Sequence, residues 1–189
     1  MSPLMTIGFR VVAIWSMALP TAQPSRAAAK ACELLTATEL GTAVGGNVGQ
    51  QSGAQKPYTK NPMVDHAGVL YTCSETVGVR KVTIVLNTAA VTASGKQFAE
   101  AGARGAESAL REQGFQVQAK EVGGSRCMTI LPPAGSRSVD ADRLGTNCVR
   151  ETGPYVVSVT VGLIGAVDPV PMEKVAALAE KAAARVPAQ

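Results

Sequence analysis

The chain has 189 residues, 46% hydrophobic, 17% charged and only 4% aromatic, with a formal net charge of +4. Rings that stack sugars or single-stranded nucleic acid are scarce, which argues against both ligand classes. Arg10 and Arg26 precede position 30 and no acid does, so the rest carries 16 − 14 = +2. The basicity then implies no nucleic-acid or anionic-lipid partner.

The front of the chain has the layout of a targeting signal. Arg10 is its positive end, Val11–Leu19 its apolar run, and Arg26-Ala27-Ala28-Ala29 its small-residue cleavage site. The prediction is a signal peptide over residues 1–29 and one extracytoplasmic domain over residues 30–189, periplasmic or secreted. Val11–Leu19 is about half the ~20 residues a membrane-crossing helix needs, so no transmembrane segment is expected after cleavage. A rival reading lipidates Cys32, but Lys30 sits where a lipobox wants a small or apolar residue.

Thr36-Ala37-Thr38-Glu39 is a capping box, in which the Thr hydroxyl and the Glu carboxylate satisfy free N–H groups at a helix start. A helix over residues 36–44 follows, stopped by Gly45-Gly46. Residues 46–66 are rich in Gly, Gln, Asn, Lys and Pro and read as a long polar loop. Val69–Cys73 and Arg80–Asn87 alternate apolar and polar residues as a hairpin does.

Residues 94–114 predict a long helix. Phe98, Ala101, Gly105, Ala109 and Leu110 form the expected inward stripe, with Lys96, Glu100, Arg104, Glu107 and Arg111 outward. Strands are expected near 115–122, 126–131, 144–150 and 155–163. A final helix over Met172–Val186 turns Val175, Leu178, Ala182 and Val186 inward. The order α-ββ-α-ββββ-α, with strands in adjacent hairpins, predicts an α+β fold with an antiparallel sheet and N-terminal, central and C-terminal helices.

Four cysteines allow three connectivities. Cys127 and Cys148 lie on successive predicted strands flanking the Pro132–Arg143 loop; Cys32 precedes the first helix and Cys73 ends a strand. The favoured pairing is Cys32–Cys73 with Cys127–Cys148. A redox pair or zinc site is the alternative, although the chain has no C-x-x-C. Cys32-Glu33-Leu34-Leu35-Thr36 with Glu39, Gly45 and Tyr71-Thr72-Cys73 resembles the opening of small bacterial cell-envelope proteins, many of them actinobacterial lipoproteins. That resemblance implies a sandwich similar to PsbP-like or extracytoplasmic sensor domains and carries no catalytic residue over. The chain departs from the lipoprotein members in lacking a lipobox.

Asp140, Asp142, Gly145 and Glu151 fall at positions 1, 3, 6 and 12 of a calcium-loop pattern. Leu144 at position 5 offers no oxygen, and no helix is expected on either side, so coincidence is the plainer reading. His66, the only histidine, stands beside Asp65 and near Tyr58 and Lys60. It could serve as base or ligand, or simply as a solvated loop residue. Ser74, Ser94, Ser125 and Ser136 lie in no nucleophile motif. Gly41–Gly49 follows a helix and lacks the G-K-[ST] ending of a phosphate loop. Paired carboxylates remain a spatial question.

The resulting expectation is a non-enzymatic envelope accessory or sensor-like binding protein. It would present a sheet face or the 46–66 segment to a small apolar ligand, a peptide or an envelope protein, with no cofactor. The alternatives are a secreted hydrolase with a site near His66 or Asp140/Asp142, and a structural or inhibitory protein that works through its surface.

Overall fold

β-branched residues at every second position build the centre of the molecule. Val82, Ile84, Val157, Val159 and Val161 project to one side of two neighbouring strands and are fully buried. The computed structural model describes residues 29–135, 144–163 and 168–186, with the backbone alone at Ala29, Asp65, His66, Ala90 and Val91. The expected signal peptide, Asp140 and Asp142 lie outside the described residues.

The elements in chain order begin with α1 (Ala29–Cys32) and α2 (Ala37–Leu40), which runs into a π-helical turn, Gly41–Gly45. Then come β1 (Val48–Tyr58), β2 (Val64–His66), β3 (Gly68–Val77), β4 (Arg80–Asn87), β5 (Ala90–Val91) and α3 (Ala93–Glu112). The chain continues through β6 (Gln116–Val122), β7 (Ser125–Leu131), β8 (Gly145–Thr152), β9 (Tyr155–Gly162) and α4 (Met172–Ala184). Seven strands form one sheet in the order β1-β3-β4-β9-β8-β7-β6, antiparallel at every step. β2 and β5 form a separate pair. The α+β class and the antiparallel sheet are as the sequence predicts.

One segment departs from expectation. Residues 46–66 are not a long loop, because β1 pairs with β3 from Val48↔Val77 to Tyr58↔Gly68. Gln, Ser, Gly and Ala carry little strand propensity of their own. Here the ready backbone of β3 supplies the pairing that the side chains do not announce.

One face of the sheet, called inner here, carries the core. α4 lays Val175, Leu178, Ala179 and Ala182 on it, and Leu34, Leu35, Leu40 and Val44 from the N-terminal helices join the same cluster. Each large aliphatic side chain so buried contributes about 1.5–3 kcal/mol. Both expected disulfides are present. Cys127 and Cys148 face each other directly across β7 and β8, with Cα atoms 4.1 Å apart. Cys32 ties α1 to the middle of β3, and its sulfur is bonded to Cys73, which leaves no thiol for a lipid.

Candidate functional site

Topology places α3 over the outer face of the sheet. The chain leaves the sheet from β4, in its middle, and re-enters at β6, its far edge, four strand places away. At about 4.8 Å per strand that is about 19 Å. The 20 residues of α3 reach about 30 Å, enough to cross the gap in a single helix.

Its ends are fixed by hydrogen bonds. Thr92 Oγ1 accepts from Gly95 N at 3.0 Å and donates to Pro62 O at 3.1 Å, while Thr92 N donates to Met63 O at 3.1 Å. At the other end Gly114 takes a left-handed φ of 84°, and Phe115 N donates to Leu110 O at 3.0 Å.

Between these ends the helix is turned the opposite way from the sequence expectation. Phe98 is 63% exposed, and Ala101, Gly105 and Ala109 are also exposed. Of the helix's 20 residues Gly95 alone is buried. The charged side faces the sheet instead. Lys96 Nζ lies 2.8 Å from Glu151 Oε2 on β8, and Glu100 Oε1 lies 3.6 Å from Arg126 on β7. The physical reason is on the sheet: its outer face beneath α3 carries Glu121, Arg126 and Glu151, and an apolar stripe would strand those charges.

The ion pairs bridge α3 to the sheet, and between them lies a cleft of about 540 Å³. Asn87, Ala99, Val149 and Val156 line it together with the charged residues. Two cations, three carboxylates and one amide over a small apolar floor suit recognition of a ligand that offers both charges and hydrogen bonds. Glu100 and Glu151 are each engaged by a cation rather than free as a catalytic pair.

The residues singled out in the sequence do not meet there, apart from Lys96, Glu100 and Glu151, none of them expected to face inward. His66 lies in β2, opposite Ala90 of β5. Tyr58 ends β1 with Lys56 Nζ 5.9 Å from its ring centroid. Gly145 through Glu151 lie in β8, so that stretch is a paired strand and not an ion-wrapping loop. Ser125 is wholly buried at the start of β7, and its Oγ has no hydrogen-bond partner. Arg126 and Glu121 are the charged lining residues the sequence did not mark. The signal that could have found the site was Lys96 and Glu100 on one helix face, with opposite charges on two later strands.

A second cavity, about 360 Å³, lies between α2 and α4 beside Glu39. The Arg185 guanidinium holds the Glu39 carboxyl down to about 2, and the Thr36 N–H adds to the effect. Among the described residues, no group of three or more His, Cys, Asp or Glu could hold a metal ion, and no helix is long and apolar enough to cross a membrane. No protein-family model and no curated protein matches the sequence.

Proposed function

We propose that this chain is a non-enzymatic extracytoplasmic binding protein, periplasmic or secreted, that holds a peptide segment of mixed charge in the cleft beneath α3. The observation that supports this is the inverted helix: Lys96 and Glu100 face a charged sheet across an open space, while Phe98 faces solvent. A purely apolar small ligand fits the lining less well, because five charged side chains would lose hydration without gaining partners. A peptide can replace each internal ion pair with one of its own while its side chains meet Val149 and Val156.

The compartment follows from the same reading. Two disulfides persist where the surroundings are oxidising, and the Arg10 to Ala29 layout is that of a secretory signal.

The test is native mass spectrometry of the protein exported to a periplasm and purified without reductant. The expected result is a protein starting near Lys30, four protons lighter than its reduced mass, with added mass that leaves on denaturation. That added mass should be lost in Lys96→Glu/Arg126→Glu. A wild-type protein that arrives empty, and stays empty when incubated with peptides released from the same compartment, overturns binding in the cleft.

A further inference from the structure

The two edges of the sheet are finished very differently. On β6 the Arg111 guanidinium donates to the Val117 carbonyl at 3.1 Å, and Lys120 pairs with Glu173 of α4 at 2.7 Å. Charges and a side-chain donor thus close that edge. β1 has eleven residues, eight of them exposed, and Lys56 is its one charged residue. A register shift between Val48 and Gln51 and Pro57 near the far end bracket a regular stretch, Gln51–Gln55.

The direction of its peptide groups can be read from β3. Val69 N donates to Thr88 Oγ1 at 2.9 Å, and Val69 O accepts from Thr88 N at 3.1 Å. Both groups are therefore used on the β4 side, and Pro57, opposite Val69, points its backbone away from β3. Alternate residues share that direction, so Gln51, Gly53 and Gln55 present their N–H and C=O groups to the edge that no described strand pairs. Pro57, which has no N–H to offer, points the same way and ends the usable stretch.

We infer that this edge takes a second copy of the chain, β1 against β1, antiparallel about a two-fold axis at Gly53. In that register Gln51 faces the partner's Gln55 and Ser52 faces the partner's Ala54. The sole charge, Lys56, meets the partner's Gln50 and not the partner's Lys56. No like charges oppose each other, and two amide pairs form. Each outward residue exchanges both backbone hydrogen bonds, and the two sheets become one. The contact is isologous, so it closes at two copies. A single strand pair buries less than the about 1,600 Å² of a standard interface, so the dimer forms with rising concentration.

Sedimentation of the oxidised protein over a wide concentration series reads the mass, and hydrogen exchange of β1 reads the register. The expected mass rises toward twice that of the chain. The amides of Gln51, Gly53 and Gln55 slow as the mass rises, while those of Ser52 and Ala54, already paired with β3, are slow throughout. Ser52→Lys/Ala54→Lys sets like charges across the axis and should sediment as a single chain at every concentration. Ser52→Glu/Ala54→Lys sets opposite charges there and should restore the dimer. Both positions are exposed and face Ser74 and Thr72, neutral residues; a thermal melt checks that each variant folds.

A wild-type protein of single-chain mass at the highest concentration overturns the inference. So does a dimer indifferent to Ser52→Lys/Ala54→Lys. Protection of Gln51, Gly53 and Gln55 that persists at full dilution would mean that some other segment covers the edge, and overturns it too. If the double-lysine variant fails to fold, the wild-type exchange pattern decides alone.

Discussion

Glu39 accepts from the Thr36 N–H at 2.9 Å, as the capping box predicts, and from both Arg185 terminal nitrogens at 2.6 and 2.9 Å. A carboxyl held near 2 in the folded chain, against 4.5 ordinarily, stabilises the fold fully only above about pH 4.5. That contribution declines as the pH falls toward 2 and is absent below it. Arg185→Ala should therefore lower the melting temperature at pH 7, and the difference from wild type should shrink on acidification toward pH 2, down to the part owed to the Arg185 hydrogen bond to the Leu34 carbonyl. Calorimetry of both proteins across that range measures it. Gly145 is a second position where one residue decides. Its φ of 124° suits glycine, and a Cβ there would sit on the Val161 carbonyl oxygen of β9. Gly145→Ala should cost more than about 3 kcal/mol, read from urea unfolding. The capping half of the Glu39 contact was legible because it spans three residues. The Arg185 half was not, because its partner is 146 positions away and nothing local marks it.

α3 is anchored at its ends and bridged to the sheet from its N-terminal half by two ion pairs between half-exposed side chains, each worth about 1 kcal/mol or less. Lys96→Ala/Arg126→Ala should lower the global melt by no more than a few degrees. The central amides of α3 should exchange several-fold faster than in wild type. Salt near 1 M, where the screening length falls to about 3 Å, should bring wild type toward the variant. Hydrogen exchange resolved by residue checks both. Periodicity in the sequence located this helix and its two faces. It could not say which face meets the protein, since a helix with Phe98, three glycines and many alanines on one side has too little apolar bulk to dictate its own orientation. The charges on β7 and β8 made that choice, and they become neighbours only once the strands pair. β1 was hidden for a related reason. Its polar, glycine-bearing sequence acquires strand character from β3 alone.

At the scale of the molecule, the cysteine pairing and the order of hairpins were readable, because Cys127–Cys148 and the β6–β9 meander join segments close in sequence. The closed loops of 41 and 21 residues imply about 4 and about 3 kcal/mol of stabilisation in the loop-entropy account. Replacing the pair Cys32/Cys73 by Ala should accordingly cost more than replacing Cys127/Cys148, as urea midpoints would show. What the sequence could not show is that β4 pairs with β9, from Val82↔Val161 to Asn87↔Val156. That pair joins the two halves of the sheet, and it governs how the molecule is made. A chain emerging N-terminus first holds the first half of its sheet with an open edge at β4 until residue 161 is free, and α4 follows later still. Contacts this distant in sequence make for slow closure and a long-lived unfinished strand edge. During that interval the half-built sheet is open to pairing with the wrong neighbour. A holdase that shields β4 until β9 arrives is therefore the assistance this topology most needs.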